Sequence, residues 1–163
     1  MGKLNYHKQL LLACFLFTLH NTEEAVAFTL FAYPTELRFP FQFPTPACMI
    51  TSIVTLTIIA WLVIALVIWR GNEIFKRNVL TTLATVFAVN IIFPHIAGTI
   101  FLQRYFPAVM TAIVLYLPYV IWLLPKLHRI YPTRKEFYTV SINRLFITAI
   151  VTAGLQLVAY FLS

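Results

Sequence analysis

Residues 47–69, ACMITSIVTLTIIAWLVIALVIW, carry no charged side chain. An apolar run of about 18 residues or more is long enough to cross a bilayer as a helix. Four further runs of this kind follow the same pattern, at 10–32, 79–102, 107–124 and 143–162. Hydrocarbon offers backbone N–H and C=O groups no partners, so each run has to satisfy its own as a helix. The expected fold is therefore all-α: one transmembrane domain over 1–163, a bundle of five spanning helices. Composition agrees, with 61% hydrophobic and 10% charged residues, against roughly 25% charged in a soluble domain. No internal repeat or low-complexity stretch interrupts the pattern. The first run follows Lys3 and Lys8 as a signal peptide would. It is too long, lacks a small-residue cleavage site and carries charge at its centre, so it reads as a retained helix.

A net charge of +7 would suit a nucleic-acid partner, but its distribution points elsewhere. With five spans, the loops fall on two faces. Of the 12 Lys and Arg residues, only Arg38 and Arg104 fall on the face opposite the N-terminus. Basic loops stay cytoplasmic, so the N-terminus is expected inside and the C-terminus outside. The expected location is the cytoplasmic (inner) membrane, multi-pass, with basic loops on anionic lipid headgroups and no nucleic acid. Cys14 and Cys48 fall on opposite halves of the membrane, too far apart to bridge.

Within this apolar chain, residues 19–25 read LHNTEEA. His20, Glu23 and Glu24 are spaced i, i+3 and i+4, on one face of a helix. A charged group at mid-bilayer costs at least about 2.5–3.5 kcal/mol. No Lys or Arg falls at that depth, so the available partners are histidine, a proton or a metal. The topology supplies a second helix at the same level. Asn90 and His95 in the third span match the motif to within about one turn, ~5.4 Å. Five residues apart, they would diverge on an ideal helix. Pro94 between them removes a hydrogen bond to the Asn90 carbonyl, and a bulge there would bring both to one side. Gly98 would allow close packing just beyond.

Two histidines and a carboxylate form a plausible zinc set with an open position for water. The expected metal ligands are His20, Glu24 and His95, with a divalent metal, zinc, as cofactor. Glu23 or Glu24 would serve as general base, and Asn90 would orient a ligand or stabilise an oxyanion. The expected function is an intramembrane metal-dependent hydrolase of a lipidic or hydrophobic substrate. The alternatives are a metal-independent acid/base enzyme of isomerase type, a proton- or cation-coupled transporter, and a non-catalytic partner subunit. Each candidate has a bland counterpart. The motif could be a hydrogen-bonded packing cluster, and His95 a capping residue. Asn90 could be an interhelical glue residue. Tyr116 and the Thr/Ser residues of the second span are expected to pack. Ala149, Ala153 and Gly154 are expected to form a close-packing face, through which an oligomer could assemble. The loop YPTELRFPFQFPTPA at 33–47 has four prolines and alternating Phe39, Phe41 and Phe43. It reads as an interfacial anchor or as a lid.

HNTEE at 20–24, with NIIFPH at 90–95, resembles the HXXEE-motif membrane proteins over most of the chain. That resemblance implies a small multi-helix membrane protein with His20, Glu23 and Glu24 as its distinctive residues, and it supplies no substrate. The paired glutamates and intramembrane histidines are also similar to those of CAAX-type proteases. The departures are large: there are fewer helices here, and no arginine follows the glutamate pair at the expected spacing.

Overall fold

A computed structural model describes residues 4–30 and 45–162, with side chains through 154. The described residues form helices joined by short turns, without a strand. Five helices are long and apolar enough to cross a membrane. They are α1 (Tyr6–Leu30), α2 (Pro46–Arg70), α3 (Glu73–Leu102), α4 (Val109–Ile130) and α5 (Arg134–Leu162). The loop proposed as anchor or lid lies outside the described residues up to position 44.

The ends follow from local chemistry. Thr45 accepts from the Cys48 amide and Pro46 opens α2, a proline position where the missing N–H costs nothing. Asn72 accepts from the Phe75 amide and starts α3 only two residues after α2 ends. So short a turn forces α3 to run antiparallel to α2.

The helices pack as α1 on α2 and α3, α3 on α4, and α5 against α2 and α3. Leu10, Ala13, Leu80, Ala84, Leu123 and Leu127 form the driest part of the core, each fully buried. These residues lie toward the face that carries the N-terminus. The outside of the bundle is apolar instead: Leu62, Phe101 and Ile150 are each about two-thirds or more exposed. A surface of that kind is stable against hydrocarbon, not against water. Gly154 has nothing within 4 Å of where a Cβ would stand. The small-residue face of α5 thus meets no partner at Gly154 among the described residues.

Both helices that meet the motif are irregular at its level. In α3 the regular helix ends at Asn90, and a wide turn covers Ile91–Ile96 around Pro94. Phe93 leaves helical geometry altogether there (φ −132°, ψ 121°). Proline cannot donate to the preceding turn, and the residue before it is driven toward extended backbone. In α4 a second wide turn spans Ala112–Tyr116, just before Pro118. Cys14 and Cys48 are both free.

Candidate functional site

The motif face of α1 meets α3 and α4 at these irregular turns. His20 is 2% exposed and His95 1%, and their ring centroids lie 4.6 Å apart, edge to face. The wide turn at Pro94 turns His95 back toward Asn90, whose Oδ1 is 3.0 Å from His95 Nε2. The two residues expected to share a side therefore do so, and for the expected reason. Gly98 is needed one turn on: a Cβ there would stand 2.6 Å from the Phe106 ring. Phe106 is the buried anchor of the turn that links α3 to α4.

That turn is conformationally demanding. Gln103 (φ 50°) and Ala108 (φ 61°) are both left-handed without being glycine, a conformation that costs of order 1 kcal/mol or more each. Two residues of the predicted site hold it, His95 and Glu23, together with Tyr105. His95 Nδ1 donates to the Pro107 carbonyl at 2.6 Å. Glu23 Oε2 accepts from the Thr111 amide at 2.7 Å, and Oε1 from the Met110 amide at 3.3 Å. The phenol of Tyr105 donates to the same Oε1 at 2.5 Å. Helix α4 has no side-chain cap of its own. Its first amides lack partners within the helix, and a carboxylate there also meets the positive end of the helix dipole. Glu23 of α1 thus caps α4 across the helix interface.

The same turn orients His20. The Thr111 hydroxyl donates to the Ala108 carbonyl at 3.2 Å, which leaves its oxygen to accept from His20 Nδ1 at 3.0 Å. With the hydroxyl hydrogen on Ala108, a neutral His20 would carry its proton on Nδ1 and its lone pair on Nε2. That Nε2 is buried and makes no hydrogen bond of ordinary geometry, with the Asn90 side chain close to the ring. His95 is fixed in the same tautomer, because a carbonyl can only accept from its Nδ1. Asn90 Oδ1 faces Nε2, so a neutral His95 would require the amide to be turned to offer its nitrogen.

Glu24 stands apart from this network. It is half-buried, and among the described residues it forms no hydrogen bond. Its electrostatic neighbours are Glu23, Tyr105 and Tyr116. Tyr116 is 1% exposed and lies between two rings, with centroids 4.4 Å from His20 and 3.9 Å from Phe87. Among the described residues, no three His, Cys, Asp or Glu side chains are arranged to hold a metal ion.

A family model described as a protein of unknown function with HXXEE motif matches residues 11–123. The chain belongs to the HXXEE family. No curated protein and no solved structure matches it. The HXXEE motif itself is His20 through Glu24, and its geometry divides the labour of its residues. His20 and Glu23 reach α4, while Glu24 stays uncommitted.

The hydroxyls of α2 do not join the HXXEE site. Asn21, next to His20 but turned by about 100°, donates to Thr57 at 2.6 Å. Trp61 donates to Thr18 at 2.9 Å. Thr18, Asn21 and Thr57 border a separate groove of about 310 Å³ between α1 and α2, with Ile53, Val54 and Ile58 on its wall. Residues absent from the expected site are Thr111, Tyr105 and the Pro107 carbonyl. One signal pointed to them: a buried carboxylate on one helix seeks the free amides at the start of another.

Proposed function

We propose that the protein is a multi-pass enzyme of the cytoplasmic membrane in which His20 and Glu24 form an intramembrane acid/base centre. Its N-terminus is on the cytoplasmic side and its C-terminus outside. One observation carries the reading: His20 Nε2 holds a buried lone pair with no partner, while Nδ1 is locked onto Thr111. A base must present a free lone pair in a fixed direction, and this ring does. Glu24 is the one motif carboxylate left free to exchange a proton with a bound molecule. His95, Asn90 and Glu23 are positioning residues in this scheme. They hold the α3–α4 turn, and the turn holds His20. The substrate is a lipidic or hydrophobic small molecule, because the surroundings are apolar and the surface is suited to hydrocarbon. The reaction is a proton transfer of isomerase type or a hydrolysis driven by a general base.

A second reading keeps the metal-dependent hydrolase, with zinc on His20, His95 and Glu24. It is favoured by the anchoring of both rings through Nδ1, the arrangement by which metal-bound histidines are usually oriented. It requires Glu24 and the His95 Nε2 face to move toward His20, since no three-donor set is formed by the described residues.

The test uses the purified protein in nanodiscs, incubated with a membrane lipid extract and followed by mass spectrometry. A conversion lost in His20→Ala and in Glu24→Gln, with the fold retained, supports the centre. One that persists in chelator selects acid/base chemistry over metal. A conversion that survives both substitutions overturns the centre. Histidine ¹⁵N spectra give a substrate-free check, since neutral His20 must show its proton on Nδ1.

A further inference from the structure

Four buried side-chain atoms of the described residues have no hydrogen-bond partner: Gln9 Oε1, His20 Nε2, Tyr116 Oη and Ser141 Oγ. Buried polar groups are almost always paired, so each of these calls for an explanation. Two of the four belong to one stacked pair. The His20 and Tyr116 rings are 22° from parallel with centroids 4.4 Å apart, and the two residues are 2% and 1% exposed. The two orphan atoms thus belong to two buried rings in direct stacked contact.

Their chemistry is complementary. Tyr116 Oη offers an O–H donor. His20 Nε2 offers a lone pair when Nδ1 donates to Thr111. They do not bond each other, so the missing partner accepts from one and donates to the other. Water does both, and buried waters typically join two to four such groups. Asn90, bonded to His95 beside this pair, has an amide group able to take a further bond. Phe87 closes the other face of the Tyr116 ring at 3.9 Å, which keeps the tyrosine in place without adding a polar partner.

We propose that His20 Nε2 and Tyr116 Oη hold one ordered water, and that this water is the molecule on which His20 acts as a base. The proposal rests on the acid/base reading of His20 and deepens it: water is the co-substrate, and the reaction class is hydrolysis or hydration. Tyr116 is then a positioning residue for the water, beyond its packing role.

The experiment uses the full-length protein in nanodiscs. Radiolytic hydroxyl-radical labelling marks rings that touch bound water. Tyr116 is expected to be modified at least about tenfold faster than Phe87, whose burial is the same. Water-to-protein transfer in solid-state NMR should reach His20 Nε2 in the wild type. Tyr116→Phe, which keeps the stacked ring, should weaken that transfer and lower Tm, because the water loses an anchor. The proposal is overturned if Tyr116 is labelled no faster than Phe87 and no water signal reaches His20. It is equally overturned if Tyr116→Phe raises Tm, the sign expected for removing a dry, unpaired hydroxyl. A water signal with lipid conversion unaffected by His20→Ala would sink the acid/base centre and leave the water site standing. Conversion lost in His20→Ala without any water signal would do the reverse.

Discussion

The bundle contains two polar clusters, and they are finished to different degrees. Toward the N-terminal face, Arg77 pairs with Glu136 at 2.9 Å and lies over the Tyr131 ring at 4.0 Å. The Tyr131 hydroxyl meets Asn78 Oδ1 at 2.9 Å and Thr81 Oγ1 at 3.0 Å. Thr81 in turn donates to the Arg77 carbonyl. None of these side chains keeps a buried polar atom without a partner. The HXXEE cluster uses Glu23, His95 and Thr111 just as fully, yet leaves His20 Nε2 unpaired and Glu24 unbonded. A closed network fixes the packing of helices. A network that closes around an open lone pair orients that lone pair for something else.

The sharpest way to break this contrast is to remove the open groups. His20→Ala or Glu24→Gln should lower turnover by two to four powers of ten, about 3–5 kcal/mol of barrier. Glu24→Gln should change Tm little, since Glu24 forms no hydrogen bond to lose. Glu136→Gln at the closed cluster should do the opposite. It costs about 1 kcal/mol or less, because that carboxylate is 40% exposed, and leaves turnover as it was. If Glu24→Gln instead lowers Tm by several degrees and spares turnover, the distinction between the clusters fails.

Glu23 provides the next largest effect, and it separates two neighbouring carboxylates. It accepts two backbone amides and a phenol. Hydrogen bonds to a charged group contribute about 1.5–3 kcal/mol each and do not add fully. Glu23→Ala should therefore cost about 3 kcal/mol, read as a loss of Tm, with turnover falling as His20 loses its support. A Glu23→Ala protein as stable as the wild type would show that the cap is dispensable.

The sequence made much of this legible and hid a definable part. The five long apolar helices were readable because a run of about 18 apolar residues is a direct signal in the sequence. The helices run past the apolar segments, as from Tyr6 rather than position 10, because backbone bonding does not depend on side-chain polarity. The meeting of Asn90 with His95 was readable because proline acts locally. The cap was hidden for the opposite reason. Its acceptor is a side chain, but two of its donors are backbone amides, which every residue carries and which become free only where a helix begins. The separate α1–α2 groove was hidden because Asn21 and His20 are adjacent in sequence yet face different helices.

Gly98→Ala tests whether the α3–α4 turn couples the two halves of the site. The added methyl would stand 2.6 Å from Phe106, and overpacking of this kind costs about 1–3 kcal/mol. Phe106 precedes Pro107, the acceptor of His95. Displacing it should loosen His95 and, through Ala108 and Thr111, His20 as well. Turnover should then fall further than Tm alone would explain. A Gly98→Ala variant with reduced Tm and unchanged turnover would uncouple the turn from the site.

The smallest effect belongs to Tyr105, which stands in the turn outside the spans. Partial burial, and then its bond to the Glu23 carboxylate, push its phenol from the ordinary 10 up to about 12. A raised value means that the fold favours the protonated phenol. The resulting stability is fully present below pH 10 and is lost as pH rises toward 12. Tyr105 is 38% exposed, so solvent screens the effect and the change is modest. Tm of the wild type should fall more steeply between pH 10 and 12 than that of Tyr105→Phe, while the two curves run parallel at neutral pH. Comparing them removes the titration of every other tyrosine, which both proteins share. Curves that stay parallel through pH 12 would mean that Tyr105 adds no proton-dependent support to Glu23, leaving the cap on α4 to the Met110 and Thr111 amides.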